Sequence, residues 1–154
     1  MPDMAKARAQ RGQRAGKQQA KAAPTAGDPC PCGLGRAYGE CCGAFHQGRA
    51  SAPTAEALMR SRYSAFAVGD EPYLLRSWHP STRPGGLGLD PAQRWLRLEI
   101  LDTEGGSAFH TEGVVEFRAY FRDHGHEDVL HERSRFVRDQ GAWVYLDGEG
   151  IDAG

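Results

Sequence analysis

The sequence predicts an α+β protein in which a short cysteine-rich segment precedes two helices and four antiparallel strands. Three observations carry this prediction: four cysteines fall within a 13-residue window, apolar residues then recur at helical spacing, and apolar and polar residues alternate from residue 95 onward. A chain of 154 residues suits one ordinary domain with an accessory element. Its 20 glycines and 9 prolines favour many turns over a long helical bundle.

The first 27 residues form a basic segment that contains no aromatic residue and a single acidic one, Asp3. With little apolar surface to bury, the segment cannot offset the entropy of ordering, and we predict a disordered tail over 1–27. A weak nucleic-acid contact and an organellar transit peptide are the alternative interpretations. The basic residues of the tail are Lys6, Arg8, Arg11, Arg14, Lys17 and Lys21.

Residues 28–48, called the knuckle below, hold the four cysteines in the pattern Cys30-x-Cys32, eight residues, Cys41-Cys42. Tetrahedral zinc requires four soft donors at about 2.3 Å from one point, and this segment supplies four thiols. The sequence therefore predicts one structural Zn²⁺ bound by the four cysteines. Four reduced thiols or a redox pair is the alternative interpretation of this pattern.

His46 is an alternative ligand, because it lies four residues after Cys42 and could replace one thiolate. Four thiolates around Zn²⁺ would leave a formal charge of about −2. The nearby Arg36 and Arg49 are candidates to offset that charge.

Two helices are predicted after the knuckle. Thr54 is a plausible N-cap for a helix that runs to the Val68-Gly69 pair. Asp70 can cap a second, shorter helix that has Pro72 near its start, where a missing N–H costs nothing, and that ends before Pro80. Residues 80–91 are rich in proline and glycine and are predicted to form a loop.

Four strands are predicted near 95–102, 111–121, 128–138 and 142–147, and the short turns between them imply antiparallel neighbours. In the third strand Glu132 shares the face of Leu130 and Phe136. A carboxylate on that face needs a partner, and we expect Arg60 or Arg62 of the first helix to supply a bidentate one.

The cysteine string CPCGLGRAYGECCG (30–43) resembles the SEC-C motif, in which similar cysteines bind zinc. Beyond it, LMRSRYSAF (58–66), SWHP (77–80), HERSRF (131–136) and AWVYLDG (142–148) resemble the YchJ family of bacterial SEC-C proteins. The resemblance covers roughly residues 28–150. It implies a nuclear-transport-factor-2-like body over 49–154, a cone of helices packed on a curved antiparallel sheet, and it implies no known activity.

The leading function hypothesis is a non-enzymatic zinc-binding module that contacts a protein partner. It follows from the knuckle and from the lack of a recognised catalytic motif, so no catalytic residue is predicted. The alternative is a small-molecule binding protein or enzyme that uses the cone-shaped pocket of the resembled fold. Its predicted polar lining is Arg62, Tyr63, His79 and Glu132.

The sequence also bears on location. No apolar run approaches the ~18–20 residues of a membrane-spanning helix, and the N-terminal stretch lacks the apolar core of a secretory signal. Four cysteines crowded into one short window suit metal binding in a reducing compartment better than the stapling of a secreted fold. We therefore predict a cytoplasmic protein without a membrane partner.

Overall fold

The computed structural model describes residues 24–151 and has the predicted α+β architecture. The elements in chain order are a 3-10 turn (Tyr38–Glu40), α1 (Cys42–His46), α2 (Ala55–Val68), α3 (Glu71–Arg76), β1 (Gln93–Gly105), β2 (Glu112–Asp123), β3 (His126–Asp139) and β4 (Ala142–Gly150). None of the helices described is both long and apolar enough to cross a membrane. The predicted disorder of residues 1–23 lies outside the described part of the chain.

Residues 24–27, which were predicted to belong to the tail, contact the knuckle. The Gly39 N–H donates to the Ala26 carbonyl at 2.9 Å, and the Thr25 N–H donates to the Asp28 carboxylate at 2.9 Å. A methyl group at position 39 would lie only 2.7 Å from the Ala26 side chain. Glycine at 39 therefore allows this close approach.

Both body helices begin at the residues that the sequence indicated, and α2 ends at Val68 as predicted, whereas α3 already ends at Arg76, four residues before Pro80. The Thr54 hydroxyl accepts the Ala57 N–H at 3.0 Å, and the Asp70 carboxylate accepts the Tyr73 N–H at 3.1 Å. Between the two helices Gly69 has φ 77°, in the left-handed region that favours glycine. The two helices are consequently joined by a tight corner, which places α3 beside the C-terminal end of α2.

The four strands form one antiparallel sheet in the order β1-β2-β3-β4. Each predicted strand is present and extends a few residues further at one or both ends. The pairing of β1 with β2 shifts at Leu96 and again at Leu101. An extra residue on one strand increases the local twist, so β1 bends along its length, as expected for a curved sheet.

The core lies between the sheet and helix α2, which contacts β1, β2 and β4. The inner face of β2 is apolar, and its Val115, Phe117 and Ala119 are fully buried. Tyr63 and Phe66 of α2 both pack on Trp95 of β1, with ring centroids 6.1 and 5.9 Å apart. Apolar burial of this kind is the main favourable term in folding.

Arg62 and Glu132 are fully buried in this core, but the predicted bidentate pair is not the arrangement found. One guanidinium nitrogen of Arg62, Nη1, donates to the Leu74 carbonyl at 2.8 Å and to the Ser77 hydroxyl at 2.7 Å. The Glu132 carboxylate accepts a hydrogen bond from the Ser134 hydroxyl at 3.0 Å. The Leu74 carbonyl of α3 is therefore the acceptor for Arg62, in place of the predicted Glu132 carboxylate.

Two aromatic rings also contact the Arg62 guanidinium, whose central carbon lies 4.9 Å from the Trp78 ring and 4.8 Å from the Tyr145 ring. Ring faces attract a cation that has been removed from water. Burial lowers the pKa of Arg62 to about 9, and the negative charge of Glu132 opposes that shift. Arg62 thus stays charged at neutral pH, with the negative charge of Glu132 contributing.

The other predicted partner, Arg60, points away from the sheet. Its guanidinium bonds Glu56 one turn earlier at 3.0 Å and the Cys32 carbonyl of the knuckle at 3.0 Å. Successive positions on a helix face different directions, so Arg60 and Arg62 serve opposite faces of α2.

We predict that Glu132→Gln lowers the free energy of unfolding by about 1–3 kcal/mol, because the buried guanidinium of Arg62 loses a nearby opposite charge. Chemical denaturation of the variant beside the parent protein measures this loss. The matched control is Glu127→Gln on the same strand, whose exposed carboxylate pairs with Arg122 at 2.6 Å. That change is expected to cost less than about 1 kcal/mol. A Glu132→Gln protein as stable as the parent would contradict a structural role and favour a ligand-binding one.

Candidate metal centre

The first two cysteines lie on a tight loop that is closed by backbone hydrogen bonds. Pro29 forms an isolated antiparallel bridge with Ala37, and the Cys30 N–H donates to the Arg36 carbonyl at 2.9 Å. At the tip of this loop Gly33 and Gly35 have φ values of 84° and 85°. Residues other than glycine rarely adopt these values, so the two glycines permit the sharp return that brings Cys30 and Cys32 together.

The second pair of cysteines lies at the start of helix α1. The Cys41 N–H donates to the Tyr38 carbonyl at 3.0 Å, and the Ala44 N–H donates to the Cys41 carbonyl at 3.1 Å. A methyl group at Gly43 would lie 2.6 Å from the Tyr38 carbonyl oxygen. Glycine is therefore needed immediately after the pair for the 3-10 turn and α1 to meet this closely.

The four cysteine sulfurs converge on one point. All four Sγ atoms lie within 4.8 Å of one another, and those of Cys32 and Cys41 are 3.6 Å apart. Tetrahedral zinc with Zn–S bonds of about 2.3 Å has S···S edges of about 3.8 Å. The cluster is buried, with no cysteine more than 6% exposed. The donor number, donor type and spacing therefore fit one metal ion of the zinc type.

The electrostatics of the cluster also favour a cation. Hydrogen bonding from Cys32 and Cys42 lowers the pKa of the Cys30 thiol, whereas the hydrogen bond to Cys30 raises the pKa of Cys32 to about 12. Hydrogen bonds to Cys30 and Cys32, with burial, raise the pKa of Cys42. One thiolate therefore disfavours the next, and a bound metal ion reverses this effect because its charge deprotonates coordinating thiols.

His46 does not join the sulfurs, since both nitrogens of its ring are used elsewhere. The Tyr38 hydroxyl lies 2.6 Å from Nδ1, and Nε2 lies 2.9 Å from the Ser61 carbonyl. A carbonyl only accepts, so Nε2 carries the proton and the lone pair of Nδ1 accepts from the tyrosine. Burial lowers the pKa of His46, which keeps the ring neutral. His46 ties the knuckle to α2 instead of acting as the alternative ligand.

Arginine side chains surround the cluster and donate to its backbone. Arg36 donates to the Glu40 carbonyl at 2.7 Å and Arg49 to the Gly39 carbonyl at 2.9 Å. Arg60 of α2, one of the two residues predicted to pair with Glu132, donates to the Cys32 carbonyl. These three positive groups are positioned to reduce the negative charge that four thiolates would carry.

Further contacts between the knuckle and the body were missed by the sequence analysis. Arg76 of α3 donates to the His46 carbonyl at 2.7 Å, and the Ser64 hydroxyl of α2 lies 3.7 Å from the Cys30 sulfur. The available signal was helical spacing, because Arg60 and Ser64 are four residues apart and share a face of α2. That spacing alone does not say which surface the face meets.

The four residues predicted to line a pocket in the body do not converge. Arg62 and Glu132 are both in the core, and Tyr63 is buried against Trp95 of β1. His79 is near the surface beyond the end of α3, where its Nδ1 accepts hydrogen bonds from the backbone and hydroxyl of Ser81 at 3.0 and 2.8 Å. The structure thus brings together two of the four.

The sequence and the fold match described families and solved structures. A model of the middle, NTF2-like domain of YchJ matches residues 54–148, and a SEC-C motif model matches residues 28–44. A UPF0225 protein of Streptomyces coelicolor is 64% identical over 124 residues, which are 80% of this chain and 97% of that protein. A UPF0225 protein of Chromobacterium violaceum is 50% identical over 136 residues, which are 86% and 96% of the two chains.

Two solved structures have the same fold. The solution structure of RPA3114, a SEC-C motif containing protein from Rhodopseudomonas palustris, is 35% identical with a TM-score of 0.69, over 81% of this chain and all of the other. The crystal structure of a SEC-C motif containing protein from Psychrobacter arcticus is 26% identical with a TM-score of 0.65, over 84% and 86%. Both the motif and the domain after it are thus matched, and the chain belongs to the YchJ family of SEC-C motif proteins.

Proposed function

We propose that the chain binds one structural zinc ion through Cys30, Cys32, Cys41 and Cys42, and that the knuckle so formed contacts a protein partner without catalysis. The observation that carries the proposal is the convergence of four buried sulfurs within 4.8 Å. A bound zinc ion would hold the two arms of the knuckle together in place of an apolar core. Four protein ligands leave no coordination position for a reacting water.

The exposed tip of the knuckle supports a role in binding protein. Leu34 at the tip is 48% exposed, and the exposed Arg36 lies two residues further on. Arginine is enriched in protein interfaces, and an apolar side chain beside it supplies area to bury. The matching surface on a partner would present an apolar pocket beside a carboxylate, because a guanidinium pairs well with a carboxylate.

Binding of a small molecule by the body is the second proposal, and the geometry supports it less. Arg62 and Glu132 are hydrogen-bonded within a packed core, whereas the ring of His79 bonds Ser81 near the surface. A groove of about 470 Å³ lies elsewhere, between the 51–53 linker and the turn that joins β3 to β4. Its one charged lining residue, Arg138, donates to three backbone carbonyls of the surrounding loops, so its guanidinium is already used in the fold.

Two further proposals concern the cellular location of the protein and a weak contact with nucleic acid. Four buried free thiols that converge on one point suit a reducing compartment, and we place the protein in the cytoplasm. A weak nucleic-acid contact would depend on the basic segment 1–27, most of which lies outside the described residues. Such binding would fall steeply with added salt, unlike a contact made by the knuckle tip through Leu34.

The purified protein is expected to contain about one zinc ion per chain, because it offers one set of four thiolate ligands. Elemental analysis measures the metal content. Cys42→Ser should remove the metal, whereas His46→Gln should keep it, since the imidazole bonds Tyr38 and Ser61. Four readily titratable thiols and no metal in the folded parent protein would contradict the proposal. Loss of zinc from His46→Gln would instead indicate that the imidazole is a ligand.

The partner-binding surface can be tested with Leu34→Ala combined with Arg36→Ala, in a variant shown to keep its zinc because Arg36 also donates to the Glu40 carbonyl of the knuckle. A partner that is retained by the tagged parent protein from a lysate and then purified should bind this double variant at least tenfold more weakly, because both tip side chains are lost. Leu96→Ala is the control, since Leu96 is 40% exposed but lies in strand β1 of the sheet. Equal affinity of the parent and the tip variant, measured by calorimetry, would exclude the tip as the interface.

A further inference from the structure

The hydroxyl of Ser64 is a buried polar group that faces the metal centre from the body. Ser64 lies in the middle of helix α2 and is fully buried. A serine in such a position commonly bonds the backbone carbonyl of the preceding turn. Here the Oγ of Ser64 lies 3.7 Å from the sulfur of Cys30, which is 34 positions earlier in the chain. A side chain outside the cysteine motif therefore contacts a sulfur of the cluster.

Next to a zinc-bound thiolate, the Ser64 hydroxyl can act only as the hydrogen-bond donor. A thiol and a hydroxyl can each donate, but a metal-bound thiolate has no proton, so the hydroxyl must then be the donor. Four thiolates in a site that is almost closed to water carry negative charge that solvent cannot reach. Polar groups that donate to the ligands stabilise such a site and hold the ligands in place.

The same face of α2 holds the knuckle at two further points. Arg60, one turn before Ser64, donates to the Cys32 carbonyl at 3.0 Å, and the His46 ring donates to the Ser61 carbonyl at 2.9 Å. The Ser64 contact involves a cysteine sulfur. The other two involve the backbone of Cys32 and the side chain of His46, both of which belong to the knuckle. The helix is thus a rigid support against which the knuckle closes.

We propose that Ser64 is a positioning residue for the metal centre, donating its hydroxyl proton to the Cys30 thiolate, so that the body contributes to the zinc affinity of the knuckle. This inference rests on the proposed zinc binding. Coupling between binding and stability is reciprocal, so zinc bound to the knuckle also stabilises the body through helix α2. The YchJ domain is then part of the metal site, and the metal centre comprises more than the SEC-C motif.

The test compares three substitutions on helix α2. Ser64→Ala removes the donor, and Ser64→Thr keeps a hydroxyl at the same position. Ser61→Ala is the matched control: it keeps the backbone carbonyl that His46 bonds and removes an equally buried hydroxyl of the same helix. That hydroxyl donates to the Leu58 carbonyl at 2.7 Å and lies 2.7 Å from the Tyr73 hydroxyl, not near a sulfur. Zinc affinity is measured by competition with a chromophoric chelator, and the sulfur-to-cobalt charge-transfer band of the Co²⁺-loaded proteins reports on the thiolates directly.

We expect Ser64→Ala to bind zinc at least about tenfold more weakly than the parent and to shift the cobalt band. Ser64→Thr should recover most of the affinity, and Ser61→Ala should lower the melting temperature while its zinc affinity stays within about threefold of the parent. Equal affinities and spectra of the parent and Ser64→Ala would overturn the inference. Absence of zinc and cobalt binding in the parent would instead overturn the proposed function, so the two failures are distinguishable.

Discussion

Helix α2 is enclosed on two sides, and the arrangement of the whole molecule depends on this double burial. One face packs on Trp95 and on Tyr145 of the sheet, and the opposite face meets the knuckle. A helix in such a position leaves little solvated surface for polar side chains, and every residue from 61 to 66 is buried. Ser61, Arg62 and Ser64 are nevertheless all fully buried. Each must then find a polar partner within the protein, since an unpaired buried group costs free energy.

The partners of these three residues connect the layers of the molecule. The Ser64 hydroxyl faces a cysteine sulfur, and the Ser61 carbonyl accepts a hydrogen bond from the His46 ring. The Arg62 guanidinium donates to a backbone carbonyl near the end of α3. Hydrogen bonds of this kind contribute modestly to stability but specify one arrangement, because a shifted helix would leave several buried groups unpaired. The knuckle is consequently held in a fixed orientation on the body, and its tip at Leu34 points outward.

Charge follows the same division. On the knuckle side, three arginines donate to backbone carbonyls near the four thiols, and hydrogen bonding to Cys30 raises the pKa of Cys32 and of Cys42. On the sheet side, a single guanidinium is enclosed by two aromatic rings and attracted by Glu132. Helix α2 thus separates the cysteine cluster, which is suited to bind a metal cation, from a core that already contains the cationic guanidinium of Arg62. Metal binding and the polar core therefore depend on different residues, although both use the same helix.

Local signals in the sequence determined the cysteine cluster, both helix caps and the alternation of the strands. Each depends on residues close together in the chain: glycines that turn a loop, a threonine or aspartate that accepts the first free N–H groups, and side chains that alternate across a strand. Only the tertiary structure decided which side chains meet across long separations. Arg60 and Arg62 were equivalent candidates for Glu132 in the sequence, and Ser64 gave no sign of contacting Cys30. The physical reason is that helical periodicity defines the faces of α2, whereas the packing of the knuckle and the sheet against it decides what each face touches.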